Sequence, residues 1–375
     1  LMSVINRLKD HARNIRGRRT GQRIVVFESD DWGAIRMPGR AAFEALSNSR
    51  NGIELSRYDA VDCLENEGDL GALSAVLSSV ADAEGRPARF TANMVMGNPD
   101  FDAIRDGQFE RFVHEPFHVS YERYHGKDLR PVWRELASAG LVRHQFHARE
   151  HLNAPFWLAD LLAGNPATLE AFDQRFYGLK CRTGREGRRD YLAAYDPATA
   201  GQIPDYRAIL EDGLSMYEET FGEPSLTMVP CNYVWPEEFD EILVWRGIRC
   251  LQGSSVEFRV CPGAESTYTE TVRRHFGTRR RSGLHDLVRN VTFEPYRSEA
   301  IDHVHRALRQ VRTAFLWNKP AVISTHRINY VGGMRPDLRD RHLKALRRLL
   351  ESITKQWPDA VFRSSDELAR MVTVE

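Results

Sequence analysis

Two carboxylates stand side by side in the stretch FESDDWG, residues 27–33, directly after the apolar run RIVV. Adjacent acids repel one another and sit badly where a core should continue. Asp30 and Asp31 would have a chemical use if one held a cation while the other moved a proton. Ser, Asp and Gly are equally ordinary turn residues, so the stretch alone also admits a plain loop. His147 and His151, in FHAREHLN, stand four apart. Two imidazoles at that spacing can reach one cation, from a helix face or from a loop leaving a strand. A second pair at the same spacing, His114 and His118 in HEPFH, encloses Pro116 and does not suit a regular helix. One of the two pairs is expected to be incidental. A further histidine, His326, closes the apolar run AVIST.

These residues need elements to position them. Strand-like runs occupy 23–28, 89–95, 142–147, 225–229, 248–252, 288–293, 320–325 and 360–363. Helical periodicity lies between them. Residues 69–83 place Leu70, Leu73, Val76, Leu77 and Val80 on one face, and 205–221, 237–246, 298–317 and 338–356 show similar spacing. Repeated strand-then-helix units predict an α/β fold with a mostly parallel sheet. Seven or eight such units could close into a barrel, whose chemistry gathers at the C-terminal ends of the strands. Asp30, Asp31, His147 and His326 all stand at such ends. Residues 36–64, 112–130 and 176–204 fit no unit and read as long loops over one face. The chain divides into a basic N-terminal extension, 1–22, and a single domain, 23–375.

Bulk properties narrow the class. Of 375 residues, 42% are hydrophobic and 28% charged, and 52 basic side chains cancel 52 acidic ones. That balance does not indicate a nucleic-acid binder. No apolar run approaches the roughly 18 residues of a membrane span. The N-terminal stretch lacks the apolar segment of a secretory signal, which leads us to expect a cytoplasmic protein. Five scattered cysteines without C-x-x-C spacing read as free thiols.

Taken in order, SDDW, HAREH and ISTHR resemble the motifs of the polysaccharide deacetylases of carbohydrate esterase family four. PARFTANMVMG looks like that family's second strand, and PVWRELASAGLVRHQFHAREH like its helix and the strand running into the His motif. The resemblance spans most of residues 23–371. It implies a distorted (β/α)7–8 barrel with long loop insertions. It also implies a hydrolase that removes N- or O-linked acetyl groups from a carbohydrate. By position, Asp31, His147 and His151 would hold one divalent cation, and zinc suits a set of two imidazoles and one carboxylate. Asp30 would be the general base and His326 the general acid. Trp32, Asn232, Tyr233 and Arg327, beside these motifs, are candidates for substrate contact; Trp157 and Trp235 also stand near.

The chain departs from the family in two places. Val229-Pro230-Cys231-Asn232-Tyr233 stands where the family has Arg-Pro-Pro-Tyr, so the Arg that orients the base is missing from that place. CLQGSSVEF stands near the position of an Asp-x-x-Trp element. HAREH also matches the H-x-x-E-H pattern of inverzincin metalloproteases, with Glu150 as base, but that reading leaves SDDW without a role. Two further readings stay open: a hydrolase of another C–N bond, such as a cyclic amide, and a barrel that binds carbohydrate without turnover. RRHFGTRRR, 273–281, reads either as a solvated loop or as a grip on phosphate or on an acidic sugar, which would make the carbohydrate substrate anionic.

Overall fold

The computed structural model describes residues 2–179, 191–260 and 270–374. Cys181, Cys261 and residues 180–190 of the expected 176–204 loop lie outside them. The core of the fold is one parallel sheet. Its strands are β1 (Ile24–Trp32), β2 (Phe90–Val95), β3 (Val142–Ala148), β4 (Thr227–Met228), β5 (Cys250–Gly253), β6 (His285–Val288), β7 (Val291–Thr292), β8 (Ala321–His326) and β9 (Val361–Arg363). They lie in the order β6-β5-β4-β3-β2-β1-β8-β7, with β9 beside the first residues of β1. Every position of β1 and β2 is buried, which is why these strands read as continuous apolar runs rather than alternating ones. Phe27 and Phe90 stack across the β1–β2 pair at 5.2 Å.

Helices cover the sheet where the sequence periodicity placed them: Glu67–Leu77, Ile203–Phe221, Asp240–Trp245, His303–Leu316 and Pro336–Gln356. Local chemistry sets their ends. Asn66 and Asp69 form a reciprocal capping box at the first. The second begins with Pro at its first turn and stops at Gly222, whose φ of 76° is a left-handed cap. The stretches expected to be irregular are less so. Helices Arg40–Ser47 and Phe117–His125 lie within them, and His114–Pro116 pairs with Gly97–Pro99.

The barrel expectation is corrected: the sheet curls but does not close. The run 288–293 reads as one strand, yet it splits into the end of β6 and the whole of β7, on opposite edges of the sheet. One short segment that leaves one edge and joins the other cannot pair with itself, so this seam carries no ladder. Residues 289 and 290 instead bond to the strands on either side of it. The Arg289 N–H donates to Gly253 O at 2.8 Å and the Asn290 N–H to Val322 O at 3.1 Å. The Asn290 side chain donates to Asn14 Oδ1 and to Pro320 O, both at 2.8 Å, and accepts from the Val322 N–H at 2.9 Å. Asn14 is buried and belongs to the helix Met2–Ile15, so residues from the N-terminal segment close the gap. No described helix is long and apolar enough to cross a membrane.

Candidate active site

Strand pairing brings the first two groups together. In the β1–β8 register, Asp30 lies opposite His326. In a regular strand Asp30 and Asp31 would point to opposite faces. The register of β1 against β2 shifts between Ser29 and Trp32, and Asp31 has φ 75°. This bulge turns both carboxylates to one cavity, a common use of the irregularity. Gly33 follows at φ 86°, and a Cβ there would meet Val95 O at 2.5 Å. Gly33 is therefore fixed by a close backbone approach as well as by its dihedral.

Asp30, Asp31, His147, His151, Asn232, Tyr233 and His326 line one cavity of about 560 Å³. Asp31 Oδ1 is 3.5 Å from Nε2 of both His147 and His151. Its other oxygen accepts the Tyr58 hydroxyl. His147 Nδ1 is 2.7 Å from Val229 O. Donating there fixes the tautomer and leaves the Nε2 lone pair toward Asp31, as in histidines that ligate metals. His151 Nδ1 is buried without a hydrogen bond, and Cys231 Sγ lies 3.9 Å from His147 Nδ1. Burial would raise the Asp31 pKa, but His147, His151 and Arg36 hold it well below the carboxylate range. Burial opposes a charge on His147, yet Cys231 and Asp31 raise it well above the imidazole range. A field that favours a proton there favours a cation, and two imidazole nitrogens with one carboxylate oxygen are a suitable donor set. His147, His151 and Cys231 also bring one donor atom each within 4.8 Å of one another. Burial would push the Cys231 thiol up, but His151 and His147 bring it down to about 6.

Asp30 sits in a different environment. Arg289 grips both of its oxygens, at 2.6 and 2.7 Å, and Asn93 donates to Oδ1 at 2.7 Å. Arg289 also bonds Glu28 at 2.6 Å and the Tyr233 hydroxyl at 3.1 Å. Burial alone would raise the Asp30 pKa; Arg289 outweighs it and keeps the carboxylate ionised. The base-orienting arginine missing from 229–233 thus has a counterpart at the seam of the sheet. Across the cavity, His326 Nε2 is 3.7 Å from Asp30 Oδ2. His326 Nδ1 meets Glu294 Oε1 at 2.5 Å, and Asn329 donates to the other Glu294 oxygen at 2.7 Å. Burial would lower the His326 pKa, but Glu294 raises it to about 9.

Two expected substrate contacts are not brought to the cavity. Trp32 is 1% exposed, packs edge-on against Trp133 at 5.3 Å and donates to Ser29 Oγ. The bulge that turns both acids toward the cavity leaves the next side chain in the core. Arg327 is fully buried between Asp62 and Glu65. Trp157 and Trp235 are core residues too. Asn232 and Tyr233 do line the cavity, with successive left-handed φ values of 55° and 56°, the kind of backbone strain that gathers at functional sites. His114 lies 3.6 Å from Asp212 and is not part of the cavity lining, nor is His118. Glu150 is bound by Arg149 at 2.5 and 2.9 Å, so no free base stands in HAREH. In the 273–281 run, Arg274 pairs with Glu257, and Arg280 with Glu257 and Asp286; none of the five arginines lines the cavity.

No family model matches this sequence, and no curated protein does so. Several solved structures show similarity. A 4-α-glucanotransferase from Thermococcus litoralis is 9% identical with a TM-score of 0.47; the alignment covers 92% of this chain but only 40% of that one. A candidate polysaccharide deacetylase from Mycobacterium smegmatis is 12% identical with a TM-score of 0.46, over 95% of this chain and 92% of the other. A candidate glycoside hydrolase/deacetylase from Parabacteroides distasonis is 10% identical with a TM-score of 0.49, over 94% and 71%. At such identities and TM-scores these likenesses decide no activity, and the functional reading rests on the geometry of the site.

Proposed function

We propose that this protein is a metal-dependent hydrolase that removes an acetyl group from a carbohydrate. One observation carries the reading. An ionised carboxylate, Asp30, and a histidine that Glu294 favours in its charged form, His326, face each other across the same cavity as the Asp31–His147–His151 group. A divalent ion held by Asp31, His147 and His151 would polarise the scissile carbonyl and acidify a neighbouring water. Asp30 then accepts the proton of the attacking water, while Arg289 and Asn93 hold its orientation. His326 gives its proton to the departing amine or alcohol as the bond to the acetyl carbon breaks. Acetate and the free sugar group are the products. A protein that only binds sugar has no use for two oriented groups with opposite proton roles.

The test is acetate release from a panel of N- and O-acetylated sugars. Release should stop when a chelator strips the protein and return with added zinc. No release from any sugar by metal-loaded protein would favour the cyclic-amide or binding-only readings.

The acid has its own signature. His326→Ala should keep its metal and lose about 10²–10⁴-fold in rate. Glu294→Gln removes the charge that raises the His326 pKa. The rate falls as His326 loses its proton, so the basic limb of the pH–rate profile should move to lower pH in this variant. An unmoved limb would assign it to another group.

A further inference from the structure

We propose that the mouth of this cavity recognises a phosphate group carried by the sugar, through Arg13 and Arg297. The inference rests on the hydrolase reading for the sugar and on charge placement for the phosphate. The carboxylates in the cavity, and the one behind His326, are answered. Asp30 is bound by Arg289, Asp31 faces two imidazoles, and Glu294 is paired with His326. Arg13 and Arg297 line the same cavity without so close a carboxylate. The Asp10 carboxylate nearest Arg13 is 3.9 Å away and is already held by Arg309 at 2.6 Å and Gln310 at 3.0 Å. Arg297 is exposed, lies 5.8 Å from the centre of the Tyr296 ring, and forms no ion pair among the described residues.

Both arginines belong to elements tied to β7. Arg13 is on the N-terminal helix that helps to close the seam. Gln310 ties that helix to β7, donating to Asp10 and accepting the Thr292 N–H at 2.9 Å. Thr292 stands beside Ser324 in the β7–β8 register, and both line the cavity. Arg297 ends the helical turn Pro295–Arg297, which comes next after β7. Two guanidinium groups and two hydroxyl side chains on one cavity suit a tetrahedral oxyanion, and a phosphomonoester's nearly double negative charge matches two cations that lack a close carboxylate. A neutral acetylated sugar would bring no negative charge to either arginine. About 560 Å³ is room for a sugar ring with such a substituent.

The probes are N-acetylglucosamine, its 1-phosphate and inorganic phosphate. Binding to zinc-loaded protein is measured by calorimetry in the Asp30→Asn variant, so that turnover does not interfere. The sugar phosphate should bind about tenfold tighter than the neutral sugar, and R13Q/R297Q should erase that preference. High salt should weaken it. Inorganic phosphate binding as tightly as the sugar phosphate would mean a free-anion site and overturn the substrate assignment. So would equal affinity for the two sugars, no binding of either, or a preference that survives R13Q/R297Q, since the phosphate would then sit elsewhere. Acetate release from neutral sugars, with no preference for the phosphorylated one, would leave the hydrolase reading and remove this inference. Arginine-dependent binding of sugar phosphate, with no acetate released from any sugar, would do the reverse.

Discussion

Asp30→Asn should retain its metal and fold normally while turnover falls by about 10²–10⁴-fold. Asp31→Asn should lose the metal, and its activity with it. The adjacent acids are therefore expected to differ in kind. Asn keeps the size of Asp30 and can still meet Asn93 and part of Arg289, but it cannot accept a proton from water. At Asp31 the change removes the anionic oxygen that stands 3.5 Å from both imidazole Nε2 atoms. A simple turn would tolerate both changes, because Asn serves turns as well as Asp does. Metal lost in both variants would make both acids ligands and leave the site without a dedicated base.

Arg289→Ala should be the most destabilising single change at the site. It strands Glu28 and Asp30, both buried and both bonded to this guanidinium. Leaving a buried pair without its partner costs about 3–5 kcal/mol, to be read from the midpoint of a urea transition. Arg289→Lys restores the charge but not the fork that holds two carboxylate oxygens at once. It should regain part of the stability while the rate stays depressed and the metal stays bound. Full activity in the lysine variant would show that charge alone suffices and that the bidentate grip has no catalytic role.

The groups that carry the proposed chemistry were legible because they follow strand-like runs. Asp30, Asp31, His147 and His326 each stand at the end of a strand-like run, and parallel strands put such ends on one side of a sheet. Their partners were not legible. Tyr58 comes from a segment without periodicity, Glu294 follows the run 288–293 but has neither a paired acid nor a spaced histidine to mark it, and Asn93 is one polar residue inside a buried strand. Arg289 left a weak trace as a charge between Val288 and Val291 in a β-like run. Reading that run as one strand hid both the arginine and the open seam it crosses. Adjacency misled for Trp32 and Arg327. Sequence neighbours of a site residue can leave the site when a bulge or a helical turn intervenes, and Arg327 begins such a turn, Arg327–Asn329. The second histidine pair shows the converse. His114 and His118 repeat the spacing of the first pair, but His114 belongs to a short antiparallel pairing and His118 to a separate helix.

Metal content of the purified protein and of three alanine variants tests the central claim most directly. Wild-type protein and His114→Ala should each hold about one zinc ion per chain after dialysis, whereas His147→Ala and His151→Ala should hold almost none. Stoichiometric zinc in both His147→Ala and His151→Ala, or its loss in His114→Ala, would contradict the assignment of the metal to Asp31, His147 and His151.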